Sequence, residues 1–271
     1  MHGEKTSFTG DIGPTLGRDD GTTVGTARWV ERTSGNLTAE ERRRLLRPLA
    51  RTHLRNAVGR LRLAIGLHPG RNAYVPPARL TPPDTVLTRA ARDRVESWLP
   101  AALLNHSYRA YIFGRALGEL EGLDVDTELL FAAAMLHDAG LVVPPAAADF
   151  TLASAQVAQQ VADKVGLSGA ATDTMLTAIT LHYNPGVTPA AGSVPYLLAA
   201  GTAVDVVGYR SWELPAATIA DAVARHPRSG FKHVFAAAFR EEAERVPEGR
   251  AKFLHRYGAF GTAVKLAPYE E

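Results

Sequence analysis

The sequence predicts an all-α protein, and three observations carry that reading. Apolar residues recur at helical spacing in one segment after another. Helix punctuation recurs with them, Thr or Asp before a periodic run and Gly just after it. Alternating strand patterns are scarce, and the best of them, "GLVVPP", is too short to carry a sheet.

Taken in order, residues 1–25 are rich in Gly, Thr and charge and lack periodicity, so a flexible tail is expected there. Residues 26–99 read as an N-terminal helical extension. In it, Thr38 and Glu41 have capping-box spacing, and Leu45, Leu46 and Leu49 follow at helical intervals. A Gly/Pro-rich stretch, 68–84, interrupts the pattern. Asp84 is expected to cap the next helix, which carries Val86, Leu87, Ala90, Val95 and Leu99. Residues 100–260 form the main body. "LLNHSYRAYIFGRALGELEG" reads as one helix ending near Gly122. Asp126 caps "TELLFAAAMLHDAG", and the run from Thr151 stops at Gly166. Further helices are expected at 168–183, 195–208, 215–225, 230–246 and 248–257. Together these make one multi-helix domain around one core, with a helical extension before it.

Composition narrows the function classes. A chain of 271 residues that is 46% hydrophobic buries a substantial core. Its 30 basic and 28 acidic residues leave a net charge of +2, too even a balance to suggest a nucleic-acid partner. The absence of cysteine excludes disulfides, thiolate metal sites and a Cys nucleophile. No apolar run has the form of a secretory signal or the length of a membrane span. The expectation is a cytoplasmic protein with no membrane partner. Nothing in the sequence sets an oligomeric state.

The stretch "FAAAMLHDAGL", 131–141, places His137 and Asp138 in an otherwise buried apolar helix. A buried imidazole and carboxylate are costly unless paired or bound to a metal. His106, in "NHSYRAY", and Asp205, in "GTAVDVVGY", are each single polar groups in mainly apolar stretches. Two imidazoles and two carboxylates suit one divalent cation such as Zn, Mn, Fe, Co or Ni. Three helices would each project ligands into one core site.

The order His106, then His137-Asp138, then Asp205 resembles the HD superfamily of metal-dependent phosphohydrolases. The surrounding "LLNHSYRAYIFG", "AAMLHDAGL", "AITLHYNP" and "GTAVDVVG" look most like the branch that includes cyanamide hydratases. The resemblance covers about 100–245. It implies an all-α metal site with His106, His137, Asp138 and Asp205 as ligands, and a small-molecule substrate. It implies a hydrolase, by default of a phosphoester, or a lyase hydrating a small nitrile. A metal-stabilised binding or regulatory module without turnover is the alternative outside enzymes.

Di-metal members of the superfamily need two further histidines before the final Asp, and this chain has only His182 there. One metal is therefore expected. By the same resemblance, Asp138, His182 and Arg109 are the catalytic candidates. His182 would face the activated water; its alternative is a helix-terminal His on the last carbonyls. Arg109 lies three residues after His106, on the same helix face. It either grips a substrate anion or fixes a ligand carboxylate. Asp149 reads as a helix N-cap. Lys232 and the arginines of "ERRRLLRPLARTHLRNAVGRLR" read as solvated, with an anionic-partner face or a cover over the site as alternatives.

Overall fold

In the computed structural model, residues 23–270 are described, so most of the expected tail, 1–22, lies outside them. The helices are α1 (Ala27–Thr33), α2 (Ala39–Ala64), α3 (Val86–Glu96), α4 (Ala101–Glu121), α5 (Thr127–Leu136) and α6 (Phe150–Val165). They continue as α7 (Gly169–Leu181), α8 (Ser193–Val207), α9 (Ala216–Arg225), α10 (Phe231–Arg245), α11 (Arg250–Tyr257) and α12 (Phe260–Lys265). Among the described residues there is no strand, only an isolated bridge between Asn36 and Gly249. The all-α reading stands.

The local signals mostly did what their chemistry dictates. The Thr38–Glu41 capping box forms in both directions. Asp126 and Asp149 cap α5 and α6. Gly122 and Gly166 end α4 and α6 in the left-handed conformation, at φ 66° and 67°. Two local readings are corrected. Thr85, not Asp84, caps α3: its hydroxyl accepts from Thr88 N, and Thr88 returns the bond in a second capping box. The exposed Asp84 carboxylate is engaged by Arg89 instead. The "GLVVPP" segment begins in a 3-10 turn, Ala139–Leu141, and contains no strand. Two short helices, α1 and α12, carry too little periodicity to be read from the sequence. Trp29 and Val30 of α1 are nonetheless fully buried.

Helix α4 is the central element, buried on all sides from Ala110 to Gly118. Its main partner is α8, and the two backbones nearly touch. A Cβ on Gly201 would overlap the Ala110 carbonyl and the Gly114 amide, and one on Gly114 would meet the Leu197 carbonyl. Small residues at Ala110, Gly114 and Gly201 thus set the α4–α8 distance, and with it the spacing of the side chains one turn further along. α5 lies buried along its length beside α4, with α7 also against it. α6 packs on α7 and on the turn after α5, where Gly140 lets the chain pass against the Phe150 carbonyl.

Gly201→Ala is expected to cost about 1–3 kcal/mol through overpacking. An exposed helical Gly→Ala would instead gain about 1 kcal/mol. Urea unfolding gives the sign.

Candidate metal centre

Four elements converge on one point in the core. α4 supplies His106 and Arg109, the end of α5 supplies His137 and Asp138, the end of α7 supplies His182, and α8 supplies Asp205. All six side chains are buried, none more than 5% exposed. His137 and His182 follow the last residues of their helices, where the chain turns the side chain inward.

The three imidazoles share one orientation. His137 Nδ1 donates to the Ala134 carbonyl at 2.7 Å, and His182 Nδ1 to the Ile179 carbonyl at 2.7 Å. His106 Nδ1 donates to Asp205 Oδ2 at 2.7 Å. A carbonyl only accepts, so these bonds put the proton on Nδ1 and leave the Nε2 lone pair free. All three Nε2 atoms face Asp138. They lie 3.2 Å (His137) and 3.6 Å (His106) from Oδ2, and 3.6 Å (His182) from Oδ1. The Nε2 atoms of His106 and His137 are 3.2 Å apart. Asp138 itself is fully buried, and neither of its oxygens has a hydrogen-bond partner.

Lone pairs and a carboxylate pointing at one another in a dry core repel unless something positive lies among them. Ligand atoms of His106, His137 and Asp138 all lie within 4.8 Å of one another. Two neutral imidazoles and a carboxylate are a donor set suited to a divalent transition metal, so the residues fit the group. Burial would raise the Asp138 pKa, but positive charge on the imidazoles, His137 first, outweighs it and holds the carboxyl well below its ordinary range, and Asp138 in turn raises the His137 pKa against burial; a metal ion would supply that positive charge in their place. Burial and the adjacent His137 push His182 down to about 3, which keeps it neutral.

Asp205 touches this group through His106 but turns its oxygens elsewhere. Arg109 grips it with Nε to Oδ1 at 2.8 Å and Nη2 to Oδ2 at 2.9 Å, and Arg228 also donates to Oδ1. Arg109 Nη1 is taken by the carbonyls of His226 and Pro227, at 2.8 and 3.0 Å. Of the two roles open for Arg109, its contacts are those of a group fixing a carboxylate. Burial would raise Asp205 too, but Arg109, His106 and Arg228 keep it low. Phe231 stacks on His106 and lies under both guanidinium groups.

This arrangement is what a family assignment has to explain. The HD domain family model matches residues 103–248, more than half of the chain, and spans every residue of the cluster. The chain belongs to the HD domain family. Among curated proteins, none matches it. As an HD protein the chain carries its His-Asp pair at the α5 end, in the position the sequence pattern indicated.

The remaining readings separate cleanly. Asp149 caps α6, and its carboxylate also accepts from Thr151, Tyr183 and, through Nε and Nη2, Arg250. Those contacts occupy it, and the only metal-capable group among the described residues is the one above. Asn105 donates to the Pro227 carbonyl and Ser107 to the Leu103 carbonyl. Phe113 is core. Lys232 donates to the Tyr269 carbonyl. Sequence reasoning missed Arg250, which joins Asp149 to Asn184 and the Thr180 carbonyl. An Arg at the first position of a helix gives no signal of burial. Arg228, two residues after His226, is equally buried, and gave no signal that it would reach Asp205.

Arg250→Ala leaves the Asp149 carboxylate buried without its cation and is expected to cost about 3–5 kcal/mol. Chemical denaturation checks it.

Proposed function

We propose that the chain is a metal-dependent hydrolase acting on a small molecule, by default a phosphoester. The observation that carries this reading is the unpartnered Asp138 carboxylate facing three Nε2 lone pairs. His106 Nε2, His137 Nε2 and Asp138 would hold one divalent metal. Asp205 would orient His106 from behind and raise its basicity, with Arg109 and Arg228 positioning Asp205. The expected fourth ligand thereby becomes a supporting carboxylate. A divalent metal bound there acts as a Lewis acid and brings water toward ionisation at neutral pH.

The chain's own residues do the rest. His182 and His106 line the inner end of a cavity of about 610 Å³, which is the route to the site. His182 Nε2 is an acceptor at that end, placed to orient a water by accepting its hydrogen bond. Its Nδ1 bond to Ile179 keeps the ring oriented while it does so. Phe235 and Phe239 line the same cavity and keep bulk water out.

One observation favours a second reading, a lyase that hydrates a small nitrile. Four of the five N–H donors of Arg109 are engaged by Asp205 or by carbonyls, which leaves at most one for a phosphoryl group. A neutral nitrile needs none.

Elemental analysis of tag-free protein is expected to find about one equivalent of a transition metal per chain, and almost none in His137→Ala. Inorganic phosphate from nucleoside monophosphates supports the phosphoester reading, and urea from cyanamide supports the nitrile reading. Metal-free wild type, even after growth with added metals, overturns both. His182→Gln is expected to keep its metal while kcat falls by about 10²-fold or more. Steady-state kinetics beside metal content shows whether the two separate.

A further inference from the structure

The cavity that ends at His106 and His182 is not closed by the HD stretch alone. Its other wall is α2, which lies wholly outside residues 103–248. Only Leu45, Leu49 and Gly59 are buried among the 26 residues of α2. Two close contacts fix the helix over the cavity. Pro48 packs on Gly186, four residues past His182, and Gly59 packs face-on against Trp212. Arg60 adds bonds to the carbonyls of Val207 and Leu266, each at 2.9 Å. From Pro48 to Gly59 the helix runs about 16 Å at 1.5 Å per residue, from the His182 side to the Trp212 side.

The residues between those anchors line the cavity, and their chemistry is uneven. Arg51 and Arg55 are one helical turn apart, so they share a face. Neither makes an ion pair with a carboxylate among the described residues. The acids that line the same cavity, Glu121 at the end of α4 and Glu213 after α8, are both held by Arg210. Asn56 also lines the cavity, and its buried Oδ1 has no hydrogen-bond partner. Val206, Leu254 and Phe260 add to the apolar lining that Phe235 and Phe239 begin.

We propose that α2 completes the substrate cavity, and that Arg51 and Arg55 bind an anionic group at the far end of a substrate whose middle is apolar. This rests on the reading that the substrate reacts at the His106–His182 end. Guanidinium pairs suit a carboxylate or phosphate oxygen pair. The Asn56 Oδ1 adds an acceptor for a hydroxyl or amide on the same molecule.

Isothermal titration calorimetry on the full chain tests the assignment with octanoate and octanamide as probes. Octanoate is expected to bind more tightly than octanamide and to weaken with added salt. Arg51→Gln/Arg55→Gln is expected to weaken octanoate by about tenfold or more, a loss of about 1.4 kcal/mol, and to leave octanamide unchanged. Arg51→Lys/Arg55→Lys is expected to restore most of the binding. Both residues are exposed, so the variants keep the fold, which circular dichroism checks. Equal binding of the two probes, no binding of octanoate, or an unchanged affinity in the Gln variant overturns the proposal. So does octanoate binding that is lost in His137→Ala but kept in the Gln variant, because the carboxylate then sits at the metal group. Arg-dependent binding in protein that carries no metal leaves this proposal standing and overturns the hydrolase reading instead.

Discussion

The Asp138 carboxylate is fully buried without a hydrogen bond, and the surrounding architecture is organised around it. An ionised carboxylate in such a place is costly by many kcal/mol unless positive charge is near. The helices do not bring a guanidinium to it. They bring three imidazoles, each with its Nδ1 proton already spent on a carbonyl or on Asp205. A packing solution aimed only at stability would turn one Nδ1–H toward the carboxylate. This one turns three lone pairs toward it, which makes sense as a cation site and not as a salt bridge.

The second buried carboxylate shows the contrast. Asp205 is as deeply buried as Asp138, yet it is saturated by Arg109, Arg228 and His106. Its network ties α8 to α4 and to the segment between α9 and α10. A third such node, Asp149 with Arg250, Tyr183 and Thr151, ties α6 to α7 and α11. Asn184 extends it to the Val24 carbonyl, and the Asp149 amide bonds the Ser34 carbonyl. The chain before α2 is thus pinned to the same frame that holds the metal group. Three buried carboxylates, Asp149, Asp205 and Glu242, are closed by arginine and one is left open, and only the open one faces both cavity residues His106 and His182.

The sequence showed the site well because its signal is chemical. A polar pair inside "FAAAMLHDAGL" has no cheap burial, so it announces its function, and lone His106 and Asp205 announce theirs in the same way. Most of the helices were legible through caps and Gly stops, since those bonds are local. Failures came where the deciding contact is distant. Asp84 and Thr85 are both plausible caps, and the choice turns on the Thr88 hydroxyl, which bonds both Thr85 and the Pro83 carbonyl. That Arg109 and Arg228 saturate Asp205 was hidden too, because they reach it from α4 and from the segment between α9 and α10. Arg250 and the α1 helix were invisible for the same reason.

The division of the cavity between two kinds of wall follows from packing. The inner end is lined from α4, α8, α10 and the end of α7, and buried faces with the glycine contacts between α4 and α8 leave little room for movement. Ligand geometry needs that rigidity, because a shift of even half an ångström spoils a metal group. The α2 wall is the opposite, a long helix held mainly near its ends, with most of its surface in solvent. Arginines there lose little by staying hydrated until an anion arrives, whereas an arginine at the inner end would be consumed by Asp138 or Asp205, as Arg109 has been. Charge recognition is therefore cheapest on α2 and bond-making chemistry cheapest at the core. The arginine-rich segment, unremarkable as a solvated helix face, gains its meaning only from what lies beneath it.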